Sequence, residues 1–365
     1  MPDDAAHRAA TTFSLDSAVP TLAVCGWSGA GKTTLLERVI PVLVADHLRV
    51  AVVKHDAHGL RVDTPGKDSD RLFRAGADVI ANGPAEGFAR RHAWAGHDLG
   101  ADLVALAADH DIILVEGHKD TPLPKIWLTG PGDETPPPGI AGVLAVLARD
   151  TDRPAALLDL LRGWLPRVWV TRPLWGGILI GGSSRRMGTP KQLLAVAGTT
   201  LAEVAATAIA AHVAGIAVLG GGEVPESLAD QIRLPDAPDA RGPLAGMLAA
   251  MRWQPRAAWL MIACDLPLVT SAAASWLLSQ RAPGRWAVIP RVSAAGVEPL
   301  FAVYEPQSRG ILEKIARDGL ATPRLVAEHP HCAVPYPPDR LAAAWSNANS
   351  PADLARLTSP ANALD

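Results

Sequence analysis

The string Gly26-Trp27-Ser28-Gly29-Ala30-Gly31-Lys32-Thr33 restricts the folds open to this chain more than any other feature. It is a full match to G-x-x-x-x-G-K-[ST], and its flanks give the match structural meaning. Thr21-Leu22-Ala23-Val24-Cys25 before it is a short apolar run that reads as a buried strand, and Thr34 to Val44 after it carries leucines and valines at helical spacing. A strand, a glycine turn and a helix in that order call for an α/β sheet with the turn at a strand's carboxyl end. The backbone of Gly26, Gly29, Ala30, Gly31 and Thr34 and the helix N-terminus suit β- and γ-phosphates, Lys32 adds a point charge, and the Thr33 hydroxyl suits Mg²⁺.

The strands that follow keep to this plan. Val50-Ala51-Val52-Val53 leads to Lys54-His55-Asp56-Ala57-His58, and Ile112-Ile113-Leu114-Val115 ends in Glu116-Gly117. An acid at the end of a core strand stands where a P-loop protein holds Mg²⁺ through water; the alternative is a solvated surface Glu116. His55 and His58 with Asp63 are a metal set by residue type, but their spacing fits capping and solvent contacts as well. No Asn-Lys-x-Asp or Thr-Lys-x-Asp string follows, so the base preference of this unit is not written in that form.

A second strand and glycine loop begins at Ile178-Leu179-Ile180, which runs into Gly181-Gly182-Ser183-Ser184-Arg185-Arg186-Met187-Gly188-Thr189-Pro190-Lys191 and a helix-like segment from about Gln192. Paired glycines followed by Arg185, Arg186 and Lys191 suit a nucleoside triphosphate, because backbone N–H groups approach the phosphates and the cations neutralise them. A helix over about 200–212, a strand at Ile216–Leu219 and a helix opened by Gly242-Pro243-Leu244-Ala245-Gly246 continue the alternation. Trp259 to Cys264 reads as a buried strand ending in Asp265-Leu266-Pro267. That ending brings Asp265 out beside the glycine loop as a Mg²⁺ ligand; the alternative is a cap on the next helix. Near the end, Ser350-Pro351-Ala352-Asp353 is a helix start with a serine cap.

With 365 residues, 48% hydrophobic and 19% charged, the chain has material for two packed domains. The expected layout is a mobile tail over 1–18, a P-loop domain over 19–165, a linker over 166–175 broken by Pro166 and Pro173, and a second nucleotide-binding α/β domain over 176–360. The expected fold is α/β throughout, a P-loop sheet followed by a Rossmann-like sheet. A net charge of −3 argues against a nucleic-acid binder. Cys25, Cys264 and Cys332 form no Cys-x-x-Cys pair and suit a reducing cytosol. The first residues do not resemble a signal peptide, and the Ala-rich stretch 204–219, interrupted by Thr207 and His212, reads as helix and strand. A cytoplasmic protein without membrane or nucleic-acid partners is the expectation.

The run from Gly26 to Lys125 resembles the molybdopterin-guanine dinucleotide biosynthesis adaptor family, MobB. The matching pieces are the P-loop string extended through Glu37, Val52-Val53-Lys54-His55-Asp56-Ala57-His58-Gly59, Asp63-Thr64-Pro65-Gly66-Lys67-Asp68-Ser69, Arg74-Ala75-Gly76-Ala77 and Leu114 to Lys119. The resemblance implies GTP binding with weak hydrolysis, an accessory role beside a guanylyltransferase and a homodimer through this domain. By spacing alone, Asp63 to Ser69 is a turn and a helix cap.

Most of 177–356 is similar to the MobA family, the molybdenum cofactor guanylyltransferases. The similarity lies in Leu179-Ile180-Gly181-Gly182 with Arg186-Met187-Gly188 and Lys191, Gly242 to Gly246, Cys264-Asp265-Leu266-Pro267, Glu298 to Tyr304 and Asn347 to Leu354. It implies that Leu179, Ile180, Gly181, Gly182, Gly220 and Lys191 bind GTP, that Asp236 meets the guanine with Asp239 as competing candidate, and that Asp265 holds Mg²⁺. Asn347 and Asn349 would support the pterin phosphate or metal. Molybdopterin or its molybdenum-loaded form would be the acceptor, with molybdoenzymes or their chaperones downstream. Two departures keep the base open. Thr189 to Leu194 resembles the sister cytidylyltransferases, which use CTP, and Gly220-Gly221-Gly222 stands where guanylyltransferases often place an Asn. A P-loop regulatory or carrier protein without transfer activity is the reading from another class.

Overall fold

The computed structural model describes residues 19–54, 62–92, 98–132, 135–181, 190–293 and 296–359. The tail over 1–18, His55 and His58, and the loop residues Gly182, Arg185 and Arg186 lie outside the described residues.

In the first half, β1 (Thr21–Cys25) is buried along its length and followed, across the glycine turn, by α1 (Lys32–Ala45). After β2 (Val50–Lys54) come α2 (Asp68–Arg74), β3 (Val79–Asn82), β4 (Gly87–Arg90) and α3 (Leu99–Leu106). The unit closes with β5 (Ile112–Glu116), β6 (Lys125–Leu128), β7 (Val143–Leu147) and α4 (Arg153–Val170). The five main strands form a parallel sheet in the order β2-β5-β1-β6-β7. Because side chains alternate across a strand, Leu22 and Val24 face α1 and α4, whereas Ala23 and Cys25 face Leu103 and Trp127.

Proline does not end α4. The helix passes through Pro166 and stops at Val170, so the expected break at Pro166 gives way to a short connection at 171–173. Leu157, Leu161, Leu165 and Trp169 continue one buried stripe. Burying a large apolar side chain is worth about 1.5–3 kcal/mol, and two such residues beyond or beside the proline offset its helix cost of about 3 kcal/mol.

The second half opens with β8 (Leu174–Leu179). The segment from Gln192 is a single 3₁₀ turn over Lys191–Leu193 and then a hairpin of β9 (Ala195–Val196) and β10 (Thr199–Thr200), not a helix. The turn residues Ala197 and Gly198, both left-handed, reverse the chain before a helix can extend. The helix α5 (Leu201–Ala210) starts at a Thr200–Glu203 capping box. It leads to β11 (Ile216–Leu219), β12 (Ile232–Leu234), α6 (Pro243–Trp253), β13 (Ala258–Ala263) and α7 (Ser271–Ser279). The short strands β14 (Ala287–Val288), β15 (Arg291–Ser293) and β16 (Gly296–Val297) precede β17 (Phe301–Tyr304), α8 (Ser308–Arg317), β18 (Cys332–Ala333), α9 (Asp339–Ala342) and α10 (Pro351–Leu357).

The seven-stranded sheet has the order β12-β11-β8-β13-β17-β14-β18, and β17 runs antiparallel to both neighbours within an otherwise parallel sheet. One face packs on α5 and α7, and the other on α6 and α8. No helix among the described residues is long and apolar enough to cross a membrane.

The two sheets meet at the amino ends of their parallel strands. Asp111, fully buried just before β5, accepts from Trp286 Nε1 at 2.8 Å and from Arg49 N at 2.8 Å. Gln307 Nε2 donates to His110 O at 2.8 Å. Arg172, between α4 and β8, donates to Glu305 and Gln307 at 3.3 Å, and Arg281 reaches Glu305 at 2.7 Å. Burial pushes the Arg172 guanidinium down to about 10, still charged at neutral pH, and raises the Asp111 carboxyl above the usual range. His331 stacks on Trp286 with ring centroids 4.2 Å apart. Glycine loops follow the carboxyl ends of β1 and β8, so both point away from this seam.

Apart from the main sheet, β3 and β4 form a two-stranded hairpin packed on α2. The stretch Asp63 to Ser69 is committed to holding it. Asp63 accepts from Thr64 N at 2.8 Å and Ser69 Oγ at 3.0 Å, Asp70 accepts from Gly66 N at 2.8 Å, and Arg90 bridges to Asp70 at 3.0 Å. The Gly66 amide, then Arg90 and Arg74, hold the Asp70 carboxyl down at about 2.

Two outcomes are expected. Trp286→Phe keeps a ring but deprives buried Asp111 of a donor, at a cost of about 1–3 kcal/mol; urea unfolding should shift downward, and an unchanged midpoint would show the contact idle. Because the folded Asp70 group titrates below its unfolded value of about 3.9, its contribution is complete above about pH 4 and is lost as pH falls toward 2. The protection factor for hydrogen exchange at Gly66 should fall in that window, whereas loss of protection centred near pH 6 would contradict the assignment.

Candidate nucleotide-binding and transfer sites

At the carboxyl end of β1, Gly26 is left-handed (φ 147°), and a Cβ there would lie 2.7 Å from the Leu128 carbonyl oxygen. Only glycine lets the loop turn so close to β6. Gly31 (φ 89°) caps the start of α1, so the loop amides and the helix N-terminus face the same space. Lys32 Nζ donates to the carbonyls of Gly26 at 2.9 Å and Trp27 at 3.0 Å. Thr33 Oγ1 donates to Glu116 Oε1 at 2.9 Å, with Lys54 4.0 Å from the same oxygen. The hydroxyl and carboxylate singled out in the sequence thus stand together.

A cavity of ≈ 480 Å³ beside the loop is lined by Gly29, Ala30, Gly31, Thr34, Arg38 and Arg149, among others. Sequence reasoning missed Arg153. Its guanidinium donates to Ala30 O at 2.8 Å, Thr129 O at 2.6 Å and Ala148 O at 2.8 Å, tying the glycine loop to the ends of β6 and β7. Nothing in its local string signals this, because all its acceptors are main-chain atoms distant in the chain or unremarkable in type.

The second site is a cavity of ≈ 590 Å³ at the carboxyl ends of β8, β11 and β13. Leu179, Ile180, Gly181, Lys191, Asp236 and Asp265 all line it. Lys191 Nζ donates to Asp265 Oδ2 at 2.9 Å and to Asn349 Oδ1 at 3.0 Å, although the three residues are far apart in the chain. Ala348 N donates to Asp265 O at 2.9 Å, holding the 347–349 segment across the strand end. Asn347 Nδ2 donates to Glu298 Oε2 at 3.0 Å. Burial raises the Glu298 carboxyl above the ordinary range.

Gly220 is left-handed (φ 101°); a Cβ there would lie 2.6 Å from Ile180 O and 3.7 Å from Asp236 Oδ1. This second close approach brings the turn after β11 against the end of β8. Of the two candidate carboxylates, Asp236 faces the cavity, whereas Asp239 makes a bidentate pair with Arg252 at 2.6 and 2.8 Å. The hydrogen bonds from Arg252 hold Asp239 below the usual carboxylate range. The alternative of Asp265 as a helix cap does not hold, because α7 is capped by Thr270. Ser350 does cap α10, accepting from Asp353 N, so that helix start coexists with the asparagines' place at the site.

The cysteines offer no nucleophile. Burial pushes the thiols up to about 11 for Cys25 and about 12 for Cys264 and Cys332, all protonated at neutral pH. Two candidate sites remain: a glycine loop with Lys32, Thr33 and Glu116, and a cavity lined by Lys191, Asp265 and Asp236, with Asn349 against Lys191.

Residues 21–148 match the family described as molybdopterin guanine dinucleotide synthesis protein B, and residues 176–332 match the MobA-like NTP transferase domain. The molybdopterin-guanine dinucleotide biosynthesis adapter protein of Haemophilus influenzae is 36% identical over 170 residues, which is 41% of this chain and 92% of that protein. A probable molybdenum cofactor guanylyltransferase of Pelotomaculum thermopropionicum is 31% identical over 197 residues, 50% of this chain and 90% of that protein. The molybdenum cofactor biosynthesis bifunctional protein of Synechocystis is 28% identical over 188 residues, 51% of this chain and 54% of that protein.

Proposed function

The chain belongs to two families, the molybdopterin-guanine dinucleotide biosynthesis adapter proteins in its first half and the molybdenum cofactor guanylyltransferases in its second, and from that premise we propose how its residues divide the work. It is a bifunctional molybdenum cofactor biosynthesis protein with a nucleotidyltransferase half. We assign the adaptor to 19–165 together with the end of α4 up to Val170, the connection to 171–173, and the transferase to the residues from β8 through 360.

The transferase moves GMP from GTP to molybdopterin or its molybdenum-loaded form. The terminal phosphate of the pterin attacks the α-phosphorus of GTP, a new P–O bond forms, the bond to the β-phosphate oxygen breaks, and pyrophosphate leaves with that electron pair. A phosphate monoester is already anionic at neutral pH, with a second pKa of about 6, so no general base is needed. Alignment and charge neutralisation remain to be supplied. Leu179, Ile180, Gly181, Gly182 and Gly220 bring backbone to the nucleotide, Lys191 with Arg185 and Arg186 offsets phosphate charge, and Asp236 accepts from the N–H donors of guanine. The hard oxygen donor of Asp265 fits Mg²⁺, which it would hold and whose charge would offset that developing on the leaving pyrophosphate. Asn347 and Asn349 support the acceptor side. The carrying observation is the convergence of Lys191, Asp265 and Asn349 within 3.0 Å at a cavity that Asp236 also lines.

The adaptor half binds GTP through Gly26 to Thr34 and hydrolyses it weakly. Thr33 and Glu116, oxygen donors 2.9 Å apart, fit a second Mg²⁺. Its product-side partners are molybdoenzymes or their chaperones, and free Cys25, Cys264 and Cys332 suit the cytoplasm. The adaptor half forms a homodimer through the β3–β4 hairpin, a reading supported by Ile80 at 70% exposed and Leu72 at 57% exposed on that unit.

Pyrophosphate release by the purified chain with Mg²⁺, molybdopterin and either GTP or CTP tests the transfer. GTP should support turnover, and Asp265→Ala or Lys191→Ala should lower it by at least about 100-fold with unchanged circular dichroism. Retained turnover in either variant, or turnover with CTP alone, would contradict the assignment. Light scattering should find a dimer that Ile80→Asp converts to a monomer; a wild-type monomer would remove the dimer proposal.

A further inference from the structure

Glu298 joins two parts of the transfer site that lie on separate stretches of chain. Its backbone is fixed by Glu298 N donating to Pro290 O at 2.9 Å. One carboxylate oxygen, Oε1, accepts from Leu300 N at 3.0 Å, and Leu300 lines the transfer cavity. The other, Oε2, accepts from Asn347 Nδ2 at 3.0 Å. Asn347 begins the segment that crosses Asp265: Ala348 N donates to Asp265 O at 2.9 Å, and Asn349 Oδ1 accepts from Lys191 Nζ at 3.0 Å.

An asparagine amide is nearly symmetric in shape and opposite in chemistry at its two ends. A carboxylate only accepts, so Glu298 turns the NH₂ of Asn347 toward itself and leaves the carbonyl oxygen directed away from it. We propose that Glu298 is a positioning residue for the transfer reaction, fixing Asn347 so that it offers an oxygen acceptor and registering the 347–349 segment against Lys191 and Asp265. The inference rests on the transfer reading above and extends it, because Glu298 meets no reacting atom and works through Asn347.

Glu298→Gln exposes this role without changing the side chain's size. The Leu300 N–H cannot turn, so the glutamine oxygen goes to it and the glutamine NH₂ faces Asn347. Two donors then oppose each other until the Asn347 amide flips and offers NH₂ in place of oxygen.

The test is a double-mutant cycle on the full chain, with pyrophosphate release, kcat, and KM for GTP and for molybdopterin measured separately. Glu298→Gln should lower kcat/KM about 10- to 100-fold, the usual effect of losing a residue that orients a site group. It should cost less than about twofold more in an Asn347→Ala background, because the group it acts through is gone. An undiminished Glu298→Gln enzyme, an equal further loss in the Asn347→Ala background, or a fully active Asn347→Ala variant would each overturn the proposal. Should Glu298→Gln fail to fold, Asn347→Asp sets a carboxylate against Glu298 and should lose activity by a similar factor; full activity there also overturns it. A wild-type chain that releases no pyrophosphate removes the transfer reading and this inference together, whereas wild-type release with an unaffected Glu298→Gln removes the inference alone.

Discussion

Both sites depend on a close approach of backbone to backbone at the carboxyl end of a parallel sheet. The turn after β1 passes the Leu128 carbonyl at a distance that excludes a Cβ at Gly26, and the turn after β11 passes the Ile180 carbonyl at one that excludes a Cβ at Gly220. Parallel strands deliver successive loops to the same edge, so charged residues distant in sequence arrive together there. Thr33 meets Glu116 on one edge, and Lys191 meets Asp265 and Asn349 on the other. Of these contacts Lys191–Asp265 pairs opposite charges, and a phosphate bound there would compete for the same lysine.

The seam sets how the two edges relate. Asp111, Trp286, Gln307, Arg172 and Glu305 join the amino ends of the two sheets, which directs the glycine loops away from each other. The direct covalent route between them is α4 and β8. Arg153 at the start of α4 holds Ala30, Arg172 just past its end holds Glu305, and β8 then runs to Gly181.

Much of this was legible in the residues because it rests on local pattern. The strand at Ile216–Leu219, the helix opened by Pro243, the serine cap before α10 and the acid at the end of β13 are all written in neighbours a few positions apart. What escaped depends on partners far along the chain. Pro166 sits inside a helix because tertiary burial of Leu165 and Trp169 outweighs a local rule, and β17 runs against its neighbours for reasons its own four residues do not carry. The pairing of Asp239 with Arg252, on α6, which leaves Asp236 as the carboxylate lining the cavity, is likewise made with a residue outside its own string. Arg153 acts on main-chain atoms, which leave no mark in a sequence.

On the proposed reading, the cavity at the ends of β8, β11 and β13 holds the reacting triphosphate. A crystal structure with Mg²⁺ and a non-hydrolysable GTP analogue tests it most directly. Phosphates should lie within hydrogen-bond reach of Lys191, with the metal on Asp265 and the guanine edge against Asp236. A well-ordered triphosphate lying elsewhere on this half, with Lys191 still closed on Asp265, would contradict it.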